Sequence, residues 1–250
     1  MDSGLYAAYS GLLARTQALD LAANNLANTG TNGYRAGRES FRGVLSQAVD
    51  TSASQVGDAV NNFGTLGGSS LSQIQGHFQT TGNPLDLAIQ GQGYFSVQTK
   101  NGIRYTRDGE FQVSNTGVLQ TSDGNQVLGT DGKPINIPTG NVSVSGDGTI
   151  SVSTADGSAS VGQIAMMDLG QNGAVSAEGS ALYKTADGVV AKPATDTTIQ
   201  EGALESSNED PIHGSMQLML IQRQAEMMQR ALTVFHNDFD KTASEDLSKV

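Results

Sequence analysis

The sequence holds 250 residues with 25 Asp/Glu against 14 Lys/Arg, a formal net charge of −11, no cysteine, no tryptophan and 31 glycines. That length suits one large domain or two small ones, while Gly above the usual ~7% and aromatics at 5% describe a turn-rich chain with few large anchors. The acidic balance argues against a nucleic-acid surface or an anionic membrane face, which need clustered Lys/Arg, and the lack of Cys excludes disulfides, thiolate zinc sites and thiol nucleophiles.

Met1-Asp2-Ser3 opens the chain without a basic n-region, an apolar h-region or a small-residue cleavage site, so a cleaved Sec-type signal is not expected. From Asp2 to Asn28, Leu5, Tyr9, Leu12, Thr16, Leu19, Ala23 and Leu26 alternate steps of four and three, the a/d seam of a heptad helix. Gly30 and Gly33 end it. Residues 36–80 follow as a connector rich in Ser, Gln, Gly and Asn, in which Phe41, Val44, Leu45 and Val49 either extend the helical region or pair as a ribbon.

From Leu85 to Gln200 the period changes to two, in Leu85/Leu87/Ile89, Phe95/Val97, Phe111/Val113, Ile135/Ile137, Val142/Val144 and Ile150/Val152. Asn-Gly or Asp-Gly pairs at 101, 108, 123, 131, 147, 156, 172 and 187 supply the positive φ of tight hairpins. Short antiparallel strands are expected in succession. Asp210-Pro211 then reads as an N-cap with Pro at the first helical position. Leu218, Ile221, Ala225, Met228, Leu232, Phe235 and Phe239 carry a second heptad seam to about Ser244. The longest apolar run, Met216 to Ile221, is far short of the ~20 residues of a membrane span. The expected fold class is therefore α+β. Residues 1–35 and 210–250 form a discontinuous, coiled-coil-like terminal helical domain, 36–80 the connector, and 81–209 a central antiparallel β-rich domain.

No motif points to catalysis, a metal or a cofactor. His77, His213 and His236 share no metal-ligand spacing. Gly91-Gln92-Gly93 lacks the third glycine and the following helix of a dinucleotide fingerprint and reads as a turn. Gly132-Lys133-Pro134 is not a P-loop, and the Asp-Gly series matches neither an EF-hand nor a calcium-binding nonapeptide repeat. What stands out is a cluster of amides, Ala23-Asn24-Asn25-Leu26-Ala27-Asn28, followed by Thr29-Gly30-Thr31-Asn32-Gly33-Tyr34-Arg35. Asn prefers caps and turns, so several in the last turns of a helix cost local stability unless a partner satisfies them.

Here the sequence resembles the bacterial flagellar axial proteins, the family of rod, hook and hook-associated subunits. The motif A-N-N-x-A-N-x-x-T-x-G-[FY]-[KR] is complete from Ala23 to Arg35. Three further blocks are similar to the rod members: Asn83 to Phe95, Tyr105 to Phe111, and Gly202-Ala203-Leu204-Glu205-Ser206-Ser207-Asn208. Met1-Asp2, the stretch from Val127-Leu128-Gly129 to Ile137-Pro138, and Asp147-Gly148-Thr149-Ile150 look more like the proximal than the distal rod type.

The resemblance implies a structural subunit, not an enzyme. It implies export unfolded by the flagellar type III apparatus with an uncut N-terminus, and polymerisation with itself and other rod subunits into the shaft that crosses the periplasm. No nucleic acid, membrane span, small-molecule substrate or cofactor is implied. The residues expected at subunit contacts are Leu12, Leu19, Asn24, Asn25, Leu26 and Asn28 in the first helix and Leu218, Ile221, Met228, Leu232 and Phe235 in the last, with Gly33, Tyr34 and Arg35 forming the motif's turn. The alternatives are a distal rod or hook-type subunit and, outside the family, a secreted β-rich carbohydrate-binding protein or hydrolase using Asp86, Asp108 or Asp123. The absence of Trp for sugar stacking disfavours that last reading.

Overall fold

Both heptad segments are helical: α1 spans Asp2–Ala27, and α2 spans Pro211–Leu247, three residues beyond the expected end. The structure is a computed structural model that describes residues 2–41, 66–154, 157–170, 175–179, 181–186 and 188–247. The described parts of 1–26, 37–69 and 211–250 make one compact unit, and those of 27–36 and 70–210 make another. The fold is thus α+β, with a helix at each end and a β-rich middle.

In the helical unit, Ala18, Ala22 and Ile221 form a buried cluster against which Leu19 and Leu218 pack. The seam on α2 falls where the heptad placed it, with Ile221 buried and Leu218, Ala225, Met228 and Leu232 half-buried. On α1 the outcome differs. Tyr9 is 58% exposed, Thr16 and Ala23 are exposed, and the buried line runs through Ala14, Ala18, Ala22 and Asn25. The leucines at 12, 19 and 26 sit half-buried at its margin. Alanine's single methyl lets a partner helix approach more closely than leucine allows, because interaxial distance follows side-chain size at the contact. A Cβ on Gly11 would meet Met228 Cε at 3.3 Å, in keeping with that close approach.

Part of the 36–80 segment forms a two-stranded ribbon, Gly37–Phe41 with Leu66–Leu71. Val44, Leu45 and Val49 lie outside the described residues.

In the β-rich unit, the main sheet runs Val175–Ala177, Leu182–Thr185, Gly102–Thr106, Tyr94–Thr99, Gln126–Val127, Leu119–Thr121 and Phe111–Val113. Met166–Asp168 also pairs with Tyr94–Thr99 and carries Lys192–Pro193. A three-stranded sheet of Asn141–Val144, Thr149–Thr154 and Gly157–Gln163 stands beside it in sequence. Two ribbons complete the unit: Leu87–Gln90 with Thr198–Glu201, and Phe78–Thr80 with Ala203–Glu205. All these pairings are antiparallel. The expected inward positions make one core of Leu87, Ile89, Phe95, Val97, Phe111, Ile135, Ile137, Val144, Ile150 and Val152 with their neighbours. Phe95 and Phe111 meet edge to face at 5.0 Å. Val113 is the exception, 38% exposed near the end of its strand.

Gly102 (φ 99°) and Gly148 (φ 85°) sit in hairpin turns as the Asn-Gly and Asp-Gly pairs anticipated. Gly109 does not adopt a positive φ; it is small for another reason. A Cβ there would lie 1.7 Å from the Leu87 carbonyl oxygen, whose amide in turn donates to Gly109 O at 3.0 Å. The close backbone approach excludes any side chain. Gly109→Ala is accordingly expected to destabilise the β-rich unit by about 1–3 kcal/mol or more through forced backbone displacement, read as a lower midpoint in urea unfolding followed by circular dichroism.

Candidate functional site

Amides of the motif make bonds within this chain. Asn25, 7% exposed in the last turns of α1, donates from Nδ2 to Gly37 O at 2.9 Å and accepts at Oδ1 from Gly37 N–H at 2.9 Å. One side-chain amide thereby satisfies both backbone groups of a residue twelve positions away. A Cβ on Gly37 would meet Leu21 Cδ1 at 2.6 Å, so that methyl would have to turn aside to admit one. Asn28 shapes the turn beyond the helix, accepting from Thr31 N–H at its carbonyl and from Thr31 Oγ1 at its side chain, both at 3.1 Å. Asn24 is exposed, and Leu26 is half-buried.

Residues 33–36 then run as a strap across the rest of the β-rich unit. Gly33 takes φ 66°, and a Cβ on it would stand 2.2 Å from both Arg107 C and Asp108 N, so only glycine fits. Its N–H donates to Glu205 O at 2.7 Å, and Tyr34 O accepts from Asn208 N–H at 3.3 Å. Arg35 N–H donates to the Tyr183 hydroxyl at 2.8 Å, and that hydroxyl donates to Gly33 O at 3.3 Å. Ala36 N–H donates to Asn208 Oδ1 at 2.7 Å, while Ala36 O accepts from Ser72 N–H at 2.8 Å. Burial pushes the Tyr183 hydroxyl well above its ordinary pKa, so it works here as a neutral donor and acceptor.

Beneath the strap lies a cluster of buried charge. Glu205, with its side chain 1% exposed, accepts at Oε1 from Arg35 Nη2 at 3.0 Å and at Oε2 from Arg107 Nη1 at 2.9 Å. Gly76 N–H adds a third bond to Oε1 at 2.9 Å. Two guanidiniums thus share one carboxylate. The surplus positive charge is met by carbonyl oxygens: Ile74 O accepts from Arg35 Nη1, while Ile89 O (3.1 Å) and Gly91 O accept from Arg107. Tyr94 presents its ring 5.2 Å from the Arg107 guanidinium carbon and packs edge to face on Tyr183 at 5.4 Å. Among the described residues, Nε of Arg35 and of Arg107 have no protein acceptor. Burial, its largest influence, pushes the Arg107 pKa down despite Glu205 beside it.

The four sequence blocks therefore converge. Arg35 comes from the amide motif, Ile89, Gly91 and Tyr94 from the second block, Arg107 from the third, and Glu205 and Asn208 from the fourth. Sequence reasoning placed Gly33, Tyr34 and Arg35 in a turn but did not single out Glu205, Arg107, Tyr183 or Asn208. Of the expected contact residues, Ile221 lies in the intrachain helical core; Leu12, Leu19, Leu218, Met228 and Leu232 are half-buried along it. The Phe235 side chain lies outside the described residues.

Two of the three acidic residues considered for a hydrolase make local bonds. Asp86, 6% exposed, accepts from Asn83 Nδ2 at 2.8 Å. Asp108 accepts from Glu110 N–H at 3.1 Å, and burial above all, with Glu110, Asp123 and Asp86 adding repulsion, raises its pKa from 3.8 to about 6.

These features define a class: a chain whose most elaborated site, among the described residues, is a buried charged cluster that ties distant segments of its β-rich unit together, a structural arrangement. Residues 5–35 match the family described as "Flagella basal body rod protein", and residues 88–152 match "Flagellar hook protein FlgE/F/G D1 domain". The chain is 32% identical over 252 residues to the flagellar basal-body rod protein FlgF of Caulobacter vibrioides, with 100% of each chain covered. It is 33% identical to the rod protein FlgG of Bacillus subtilis, covering 89% of this chain and 91% of that one, and 30% identical to FlgF of Salmonella typhimurium, covering 93% and 94%. The chain belongs to the flagellar basal-body rod protein family, and it is a structural subunit of the rod.

Two outcomes test the site. Glu205→Ala leaves two buried guanidiniums without their counter-charge and is expected to cost about 3–5 kcal/mol, measured by urea unfolding followed by tyrosine fluorescence. For Asp108, the native carboxyl holds its proton to about pH 6 whereas the unfolded chain releases it near 3.8. The native state binds the extra proton between those values, so this group's contribution to stability falls as pH rises through that window. Asp108→Asn keeps the acceptor for Glu110 N–H and is expected to stabilise the chain at pH 8 by on the order of 2 kcal/mol, with no gain at pH 4.

Proposed function

We propose that this chain is the proximal rod subunit, exported unfolded by the flagellar type III apparatus and polymerised through its terminal helices into the part of the shaft that crosses the periplasm. Binding is the whole mechanism, with no reaction to catalyse. The observation that carries the polymerisation reading is a second apolar face on α2. Opposite the seam of Leu218, Ile221 and Met228, the side chains of Ile212, Met216, Met219, Leu220, Met227 and Val234 are 57–70% exposed. On α1, Tyr9 and Leu13 are 58% and 60% exposed. A helix apolar on two faces needs a partner on each. Among the described residues, no helix is long and apolar enough to cross a membrane; the reading takes the cover to be protein.

Magnitudes favour an assembly over a pair. Covering six half-exposed side chains at ~1 kcal/mol each yields on the order of 6 kcal/mol, against ~4–15 kcal/mol for immobilising a partner. One contact alone is marginal; several neighbours per subunit are required, which heterologous, non-closing contacts supply in a filament. The half-buried Leu12, Leu19, Leu26, Leu218, Met228 and Leu232 lie along the intrachain seam and are proposed to contribute through the part of each side chain left uncovered there, with Asn24, Asn28 and Phe235 alongside and Asn25 and Ile221 acting through the intrachain packing.

End-to-end alignment with the FlgF of Caulobacter vibrioides supports the proximal assignment; the 33% identity to the FlgG of Bacillus subtilis supports the distal type as second reading. Met216→Asp with Met227→Asp is expected to leave the melting temperature of the isolated chain unchanged and to abolish incorporation into rods in cells lacking the native copy. A normal rod built from the double variant would sink the polymerisation reading.

A further inference from the structure

The chain passes between its two units four times, at 26/27, 36/37, 69/70 and 210/211. Each passage lies within a few residues of the buried cluster or of the bonds around it. The 27–36 excursion is closed at its base by the reciprocal Asn25–Gly37 bonds and held further along by Gly33 and Arg35 on Glu205. After the third passage, Ser72, Ile74 and Gly76 bond to Ala36 O, Arg35 Nη1 and Glu205 Oε1 respectively. Before the fourth, Asn208 bridges the others: its Oδ1 accepts from Ala36 N–H at 2.7 Å, and its Nδ2 donates to Ile74 O at 2.7 Å and toward Ser72 O at 3.4 Å.

We propose that Glu205, Arg35, Arg107 and Asn208 are positioning residues for assembly: a clamp that fixes the spacing of the segments 33–36, 72–76 and 205–208 on one another within the β-rich unit. The physical case rests on what the cluster is poor at. A buried ion triad is a weak source of net stability, because desolvation consumes most of its Coulombic gain, and well-packed hydrophobic replacements often equal or exceed it. Its directional bonds, in contrast, tolerate one arrangement only. Two forked guanidiniums, a carboxylate with three donors and an amide with three partners define position where an apolar patch would allow sliding. Three of these four side chains, Arg35, Arg107 and Glu205, are at most 3% exposed, so they hold segments instead of touching a neighbouring subunit.

The proposal rests on the rod-subunit reading and separates from it experimentally. The full chain carrying Arg35→Met, Glu205→Leu and Arg107→Met is compared with wild type in thermal unfolding and in rod incorporation in cells lacking the native copy. The expected result is a melting temperature equal to or above wild type with incorporation reduced by about tenfold or more. Wild-type incorporation by a folded triple variant would overturn the clamp. Asn208→Ala, which removes no charge, decides the matter if the triple variant does not fold. Its amides at 36 and 72–74 are expected to exchange about tenfold faster than wild type while the strands Tyr94–Thr99 and Gly102–Thr106 keep their protection, with incorporation falling in parallel. Unchanged exchange or unchanged incorporation would overturn the proposal. Failure of the polymerisation reading shows differently, in the methionine-face double variant, and leaves the exchange result standing.

Discussion

Glu205 lies between two guanidiniums in a place that water does not reach, and taking charges out of water costs several kcal/mol per ion after relaxation. The surroundings answer that cost. Ile89 and Gly91 turn their carbonyls toward Arg107 because the strand Leu87–Gln90 breaks into the Gly91–Gly93 turn at that point. Gly109 presses against Leu87 and keeps the Arg107 segment close. The strap needs a residue without a side chain at 33 because it crosses directly over the Arg107–Asp108 peptide. Requirements that look separate along the sequence, a glycine here and an arginine there, are consequences of solvating one shared charge with protein instead of water.

The helical unit answers a different constraint. α1 offers alanines and α2 offers Ile221 and Leu218, so the pair buries little apolar area for its length, and much of what α2 carries stays outside. Ordering a residue costs ~1–2 kcal/mol, and in the proposed assembly covering the outer face would add to what this seam supplies, as in segments that complete their fold on binding. The β-rich unit holds its own core of branched aliphatic and phenylalanine side chains and does not depend on neighbours in the same way.

The β-rich unit was legible because alternation and turn chemistry agree there: Phe95/Val97 and Ile150/Val152 point inward, and the glycines after Asn101 and Asp147 do what such pairs do. The start of α2 was legible from Pro211, and the end of α1 from Gly30 and Gly33, within a few residues of Ala27. The seam on α1 was misplaced because periodicity weighs large side chains, and Ala14, Ala18 and Ala22 look like filler until a partner helix lies against them. Val113 and Gly109 show the limits of local patterns, the one exposed near a strand end, the other small for packing instead of for φ. The charged cluster was invisible for a more basic reason. Arg107 and Glu205 stand 98 positions apart, and nothing in either neighbourhood announces the other. The blocks that resemble the rod proteins were the available signal, and their meeting at one point explains why they are blocks at all.

The bond from Gly33 to the carbonyl of Glu205 has a further consequence in time. A polypeptide that emerges end-first, from whichever terminus, can form α1 or a hairpin as soon as its residues appear. It cannot seat the strap until the segment around residue 205 is also present, and such long-range closure is slow compared with local folding. The junction is therefore among the last features of the β-rich unit able to form. In a subunit exported as proposed above, local elements would come first and the strap would seat only after most of the chain had arrived.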